Sequence, residues 1–240
     1  MYLYAITDRP EANVPAEVGL GGVPLLSLAY QDIAAVVSPL TTAEVPPTEE
    51  NLWRHEAVVE ALMADSTVLP MRFGTVLADE AAVQAVLAVH YADFVASLDR
   101  VRGRVELGLR VLWDSEIRKT KNENRNLNSG RSYLLARLEE ERQARAWRQR
   151  AETLVTELHT PLAQLAAEST RQVLVTPRLL LTAAYLVERD QVTAFQREVG
   201  GLSGAYPALR LLCTGPWPPY SFVTATVPSA DGEERPYART

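Results

Sequence analysis

Two kinds of hydrophobic spacing alternate along the first hundred residues. Short apolar runs predict strands, two of which form a hairpin around Tyr30-Gln31-Asp32, and longer stretches with three-and-four spacing predict helices. The strands are expected at 1–6, 25–29, 33–37 and 67–77, and the helices at 48–65 and 79–98. Thr48 followed by two glutamates is typical of a capped helix start. This part of the chain is therefore predicted to run β-β-β-α-β-α.

The remaining chain repeats the alternation in a different order. Strands are expected at 105–113, 171–176, 179–188 and 208–214, and helices at 131–167 and 190–202. The order β-α-β-β-α-β is that of the ferredoxin-like fold. The middle of the first helix is polar all round, which predicts that it projects into solvent or spans between packed regions. Residues 115–130 are polar and rich in Asn and Lys, and are predicted to form a mobile loop.

These patterns predict an α+β protein of two domains. Residues 1–100 form the first, and residues 101–240 form a modified ferredoxin-like domain with a long helical extension and a proline- and aromatic-rich tail. A chain of 240 residues is long enough for each domain to bury its own core.

Composition narrows the range of partners. The net charge of −6 and the pI near 5.2 provide no basic footprint, so nucleic acid is not an expected partner. No apolar stretch reaches the roughly 18 residues of a membrane-spanning helix, and the opening MYLYAITDRP lacks the features of a secretion signal. The single cysteine precludes an internal disulfide. We therefore expect a cytosolic protein without a lipid-membrane partner.

Recognisable catalytic chemistry is not evident in the sequence. His55-Glu56 begins like a zinc-protease motif, but Val59 stands where the second histidine would lie. His90 and His159 have no ligand at metal spacing, so all three histidines are expected to be ordinary surface or helix residues. Cys213 ends an apolar strand and is expected to be a small core residue. We expect no enzyme activity, no metal and no cofactor. A small-molecule-binding or enzymatic ferredoxin-like protein is the alternative, with a site assembled from distant residues.

Two stretches combine aromatic residues with unusual neighbours. In Leu69-Pro70-Met71-Arg72-Phe73-Gly74-Thr75, a charge lies within an apolar strand, and Pro70 places that strand at a sheet edge or a bulge. Arg72 is expected either to pair with a carboxylate or, with Phe73, to contact a partner.

The second stretch is TGPWPPYSFV at 214–223. Its three prolines predict a rigid extended arm, and Trp217, Tyr220 and Phe222 supply most of its apolar area. The arm either straps over the protein's own core or offers a docking surface.

Together these stretches resemble the gas vesicle protein family GvpL/GvpF. The resemblance rests on the MYLYAI start, on VLPMRFGTV, on Gly130-Arg131-Ser132-Tyr133-Leu134 and on TGPWPPYSFV, in family order and spacing. It implies two α+β domains, the second a modified ferredoxin-like fold, and no enzyme activity.

The resemblance also implies a minor structural or accessory component of gas vesicles, the organelles of buoyancy. It is expected to contact the major shell protein during assembly, with other gas vesicle accessory proteins as further partners. We hypothesise that it assists vesicle nucleation and assembly by keeping shell subunits from aggregating. A structural component at the gas-facing inner surface is a further alternative. The candidate contact or signature residues are Arg72, Phe73, Trp217, Tyr220 and Phe222.

Overall fold

The computed structural model describes residues 1–9, 18–40, 45–113, 130–174, 176 and 178–223. These residues form an α+β structure with two four-stranded sheets, as the sequence predicts. The predicted loop at 115–130 lies outside the described residues, except for Gly130.

The chain divides into two compact units. The first comprises Met1–Glu106 with Pro216–Thr240, and the second comprises Leu107–Gly215. Residues 216–223, named the tail below, therefore belong to the first unit, whereas the sequence analysis grouped them with the second. Hydrogen bonds join Tyr220 and Ser221 of the tail to His55 and Glu106 of that unit. The domain limits 1–100 and 101–240 remain a prediction about independent folding.

The first unit is built on a sheet with strand order β2-β3-β1-β4. Its strands are β1 (Tyr2–Thr7), β2 (Leu26–Tyr30), β3 (Ile33–Ser38) and β4 (Val68–Pro70), and its helices are α1 (Glu49–Asp65), α2 (Glu80–Val89) and α3 (Tyr91–Val101). β1 pairs antiparallel with both β3 and β4, and β2 and β3 form the predicted hairpin. β4 ends the sheet, which is the edge position that Pro70 requires.

Side-chain caps begin both α1 and α2, and the cap of α1 is the one predicted at Thr48. The Thr48 hydroxyl accepts the Asn51 N–H at 3.3 Å, and the Asp79 carboxylate accepts the Ala82 N–H at 2.8 Å. The single helix predicted at 79–98 is wrong, because the backbone leaves the helix at His90 and α2 and α3 differ in direction by 74°. Each piece buries its own apolar stripe, so tertiary packing sets the break.

The second unit has the ferredoxin-like sheet order β6-β7-β5-β8. Its strands are β5 (Arg104–Trp113), β6 (Glu168–Val173), β7 (Leu179–Glu188) and β8 (Leu209–Trp217), and its helices are α4 (Gly130–Gln164) and α5 (Val192–Ala205). β6 and β7 pair antiparallel over their whole length. The predicted β-α-β-β-α-β order is confirmed. β5 begins in the first unit and β8 ends there.

Helix α4 joins two environments. Its last turns bury Ala151, Val155, Leu158 and Leu162 in a hydrophobic core with β5 and β7. Earlier in the helix, the side chains that the structure describes between 137 and 150 are exposed. The prediction that the middle of this helix is solvated is therefore confirmed for those residues.

Candidate protein-interaction site

A buried histidine of α1 lies at the centre of the first unit. His55 is 2% exposed. Its Nε2 lies 3.1 Å from the Met71 carbonyl oxygen, which can only accept, so Nε2 carries the ring proton. Its Nδ1 lies 2.9 Å from the Tyr2 hydroxyl oxygen and accepts the hydrogen bond that this hydroxyl donates. The Tyr2 oxygen in turn accepts the Gly74 N–H at 3.1 Å. One neutral histidine thus connects β1 to the segment that follows β4.

Aromatic rings enclose His55. The Tyr4 ring stacks on it with centroids 5.7 Å apart, and the Phe73 ring meets it edge-on at 5.9 Å. On α1, His55 is followed at three- and four-residue spacing by the buried Val58, Val59 and Leu62. The helix period therefore turns the imidazole toward the core of the unit.

The stretch that contains Arg72 forms a turn instead of a continuous strand. The Arg72 carbonyl accepts both the N–H and the hydroxyl of Thr75, at 3.2 and 2.8 Å. Gly74 has φ +85°, the value that the third position of a type II turn requires. The strand predicted at 67–77 is therefore interrupted, although Leu3 and Leu77 still donate backbone hydrogen bonds across β1 and this segment. Phe73 is half-buried, and Arg72 is half-buried and engaged within the protein.

Hydrogen bonds anchor the tail to helix α1 and to strand β5. The Tyr220 hydroxyl lies 3.3 Å from His55 Nε2 and donates to the Glu56 carboxylate. Ser221 donates its N–H and its hydroxyl to the two oxygens of Glu106, each at 2.7 Å. These bonds reach residues 165 and 115 positions away, so they fix the end of the described chain within the first unit.

The predicted extended arm is wrong in detail, because the tail combines a strand end with a tight turn. β8 continues to Trp217, and a 3-10 turn follows at Tyr220–Phe222. Pro218, Pro219 and Phe222 are buried. Trp217 is 42% exposed, whereas Phe222 is 3% exposed. The tail is therefore a strap at one end and an exposed aromatic surface at the other, which the sequence analysis had treated as alternatives.

Burial controls the protonation of these groups. Desolvation lowers the pKa of His55 from 6.5 to about 4, against the opposing effect of its hydrogen bond to Met71. Burial raises the pKa of Glu56 above its ordinary value, against the hydrogen bond from Tyr220. It likewise raises the pKa of Glu106 and keeps the Tyr2 phenol neutral by raising its pKa.

The structure brings together two of the predicted residues and shows what sequence reasoning missed. Phe73 and Tyr220 both reach His55, which was expected to be an ordinary surface or helix residue. The helical spacing of His55 with Val59 and Leu62 was the available signal, because it places the histidine on the buried stripe of α1. Glu106 as the acceptor for Ser221 had no comparable signal, since the two residues are 115 positions apart.

The described side chains of the second unit that could take part in chemistry do not form one cluster. His159 Nδ1 lies 2.8 Å from the Tyr185 hydroxyl. Cys213 is half-buried, and burial raises the pKa of its thiol, which disfavours the reactive thiolate. In the part of the chain that the structure describes, no group of three or more His, Cys, Asp and Glu side chains could hold a metal ion.

Among the described helices, none alone has the length and apolar character needed to cross a membrane, and only the bent pair α2 and α3 meets both conditions jointly.

The fold is that of solved gas vesicle proteins. The crystal structure of GvpF from Anabaena sp. PCC7120 superposes with a TM-score of 0.78 at 23% identity, covering 94% of this chain and 96% of that one. GvpF from Microcystis aeruginosa gives a TM-score of 0.74 at 21% identity, with 93% and 98% coverage. At these identities the comparison establishes the architecture alone, a two-sheet α+β fold that this chain shares with those two proteins.

The sequence comparisons establish the family. Residues 1–224 match the family described as gas vesicle synthesis protein GvpL/GvpF. Gas vesicle protein L of Streptomyces sp. (strain CB03234) is 34% identical over 92% of this chain and 91% of its own length. Gas vesicle protein F1 of Halobacterium salinarum is 26% identical over 93% and 92%. The chain belongs to the GvpL/GvpF family of gas vesicle proteins, as its sequence motifs indicated, and its role lies with gas vesicles.

Proposed function

We propose that this protein binds the major gas vesicle shell protein and assists vesicle nucleation and assembly by keeping shell subunits from aggregating. The contact involves the tail and the turn at 72–75, with Trp217 as the exposed anchor. Family membership supports the gas vesicle role. The observation that supports placing the contact at the tail is the 42% exposure of Trp217, since the neighbouring Phe222 is buried.

The tail has the physical properties of a pre-organised contact surface. Pro216, Pro218 and Pro219 restrict the backbone on both sides of Trp217. The buried Phe222 and the two hydrogen bonds from Ser221 to Glu106 fix the segment further on. An indole held in this way loses little conformational freedom when it is covered, so most of its apolar burial contributes to binding. The turn with Arg72 and Phe73 extends the candidate surface.

Binding an apolar shell subunit can prevent its aggregation without any catalytic step. A shell subunit that is strongly apolar associates with itself through exposed hydrophobic surface. A partner that covers part of that surface competes with self-association until the subunit joins the growing shell. We place the protein with gas vesicles in the cytoplasm, and other accessory proteins of the vesicle are its further partners.

Co-purification tests the proposal directly. Tagged protein is expected to retain the major shell protein, and its addition is expected to slow the rise in light scattering when shell subunits are diluted from denaturant. An unrelated ferredoxin-like protein of similar charge is the control. Absence of retention, together with normal vesicles after deletion of the gene, would overturn the proposal.

Position in the mature vesicle is a separate question. A component at the gas-facing inner surface is expected to resist added protease in intact vesicles and to become cleavable after the vesicles are collapsed by pressure. Equal cleavage before and after collapse would place it outside, and its absence from washed vesicles would confine it to assembly.

A further inference from the structure

Two candidate contact segments meet at one buried side chain. His55 Nε2 lies 3.1 Å from the Met71 carbonyl, which begins the turn segment, and 3.3 Å from the Tyr220 hydroxyl of the tail. On its other side, Nδ1 receives the Tyr2 hydroxyl proton, and Tyr2 holds the Gly74 N–H of the same turn. The six residues Tyr2, His55, Glu56, Met71, Gly74 and Tyr220 are named the His55 network below.

The directions of these hydrogen bonds require a neutral imidazole. The Gly74 N–H donates to Tyr2, the Tyr2 hydroxyl donates to Nδ1, and Nε2–H is shared between the Met71 and Tyr220 oxygens. A second ring proton on Nδ1 would face the Tyr2 hydroxyl proton, and Tyr2 is fully buried. Protonation therefore turns the Tyr2 hydroxyl proton away from Nδ1, leaves it without that acceptor inside the core, and places a charge there.

We propose that His55 is a positioning residue that couples the turn at 72–75 to the tail, and that protonation of His55 loosens both segments together. The inference deepens the proposed function, and it rests on that function only in treating these two segments as contact segments. Mild acid would thereby increase the opening of the candidate surface at two places through one side chain. Helix α1 carries the histidine, so it communicates between β1, the turn and the tail.

Other titratable and charged groups adjoin His55. β1 contributes Tyr2 and Tyr4, whose pKa values are raised by burial, so both stay neutral. Tyr220 of the tail lies 3.3 Å from Nε2, Arg54 and Glu56 flank His55 in the sequence of α1, and Arg72 follows Met71 in the turn segment. Because the pKa values of Glu56 and of the tail acceptor Glu106 are raised in the folded state, their protonation in acid favours the closed form. The carboxylates therefore oppose the effect of His55, and the test must separate the two.

Amide hydrogen exchange on the isolated protein measures the coupling. Exchange of peptides covering 71–77 and 217–223 is followed at pH 7.5 and 5.5 and corrected for the intrinsic chemical rate. A histidine that titrates near 6.5 when a segment is open, but stays neutral when it is closed, increases the opening constant about tenfold over this range. Wild type is expected to show that increase in both peptides, less the opposing carboxylate effect.

Variants isolate the histidine from its neighbours. His55→Gln retains a neutral hydrogen-bonding side chain and both carboxylates, so it is expected to lose the acid-dependent increase in both peptides. His159→Gln, in the second unit, is the matched control and is expected to keep it. Tyr220→Phe retains His55 but removes the tail hydroxyl, so it is expected to keep the increase at the turn and to reduce it at the tail.

Three results would overturn the inference: equal acid-dependent increases in wild type and His55→Gln, an increase confined to one segment in wild type, or a Tyr220→Phe response identical to wild type at both segments. Since shell protein is absent from this experiment, its outcome is independent of whether the proposed binding exists. If His55→Gln does not fold, the Tyr220→Phe comparison still decides the matter in a protein that retains the histidine.

Discussion

Each unit contains a histidine bonded to a tyrosine, and the two pairs differ in what surrounds them. In the first unit His55 and Tyr2 lie 2.9 Å apart, and both are buried. In the second unit His159 and Tyr185 lie 2.8 Å apart, but His159 is only half-buried. The pKa of both histidines is lowered by desolvation, and for His159 Arg171 adds to the effect.

The two hydrogen bonds are nearly equal in length, so length does not distinguish the pairs. They differ in how many distant segments of the chain each histidine joins. His55 joins β1, the turn and the tail, which are far apart in sequence. The bond from His159 joins only α4 to β7, beside a hydrophobic core that contains the Tyr185 ring itself. A hydrogen bond that closes several long-range contacts is expected to affect stability more than one that adds to an already packed layer.

The largest expected effect is the truncation of His55. His55→Ala leaves a cavity and removes the partners of the Tyr2 hydroxyl and the Met71 carbonyl, so we expect a loss of about 3–4 kcal/mol in unfolding free energy. His159→Ala is expected to lose about 1 kcal/mol, because water can replace the partner of a half-exposed group. Urea unfolding measures both. Equal losses would remove the distinction between the two pairs.

Truncation of Phe222 is expected to cause the next largest loss in the free energy of unfolding. The side chain is 3% exposed, so Phe222→Ala should lower the free energy of unfolding by about 3 kcal/mol. Leu212→Ala is the comparison variant, since Leu212 is 36% exposed on β8 and should lose less than about 1 kcal/mol. A near-neutral Phe222→Ala in urea unfolding would mean that the tail is not part of the core of the first unit.

Stability should depend on pH through His55. The folded pKa of about 4 lies below the ordinary value of 6.5, so its stabilisation is complete above pH 6.5 and is lost as pH falls toward 4. Between pH 7.5 and 4.5 the wild type should lose about 2 kcal/mol relative to His55→Gln, since both contain the opposing Glu56 and Glu106. Thermal unfolding at several pH values tests this. Parallel pH profiles for the two proteins would contradict it.

The smallest expected effect on stability is the removal of one hydroxyl. Tyr220→Phe loses the bonds to His55 and Glu56 and should lower the free energy of unfolding by about 1 kcal/mol. Tyr206→Phe is its counterpart in the second unit, where the hydroxyl donates to exposed Glu157 at 2.9 Å. That variant should be close to neutral, because both partners of the hydrogen bond are exposed to solvent. Equal losses in urea unfolding would show that the position of the tail does not depend on the His55 network.

Sequence patterns predicted what depends on neighbouring residues. The strand and helix order of the second unit, the cap at Thr48 and the edge position of Pro70 all follow from local spacing and backbone chemistry. The break at His90 did not, because 79–98 contains no Pro or Gly and the apolar spacing continues through it. Packing of α2 and α3 overrides the continuous pattern.

The candidate site was predicted only in part for the same reason. Aromatic content singled out Phe73, Trp217, Tyr220 and Phe222, but it could not divide the tail into buried and exposed ends. That division depends on Glu106 and His55, which are more than a hundred positions away in sequence. Periodicity could have placed His55 on the buried face of α1, but its partners come from long-range strand pairing.

The central claim is that Trp217 anchors the contact with the major shell protein, and the binding affinities of two tryptophan variants test it most directly. Trp217→Ala should fold like wild type and bind shell protein at least about 30-fold more weakly, as expected for an anchor worth about 2 kcal/mol. Trp53→Ala is the matched control, because Trp53 is 69% exposed on α1 and lies outside the candidate residues. It should bind like wild type. Unchanged binding by Trp217→Ala, or equal losses in both variants, would contradict the claim.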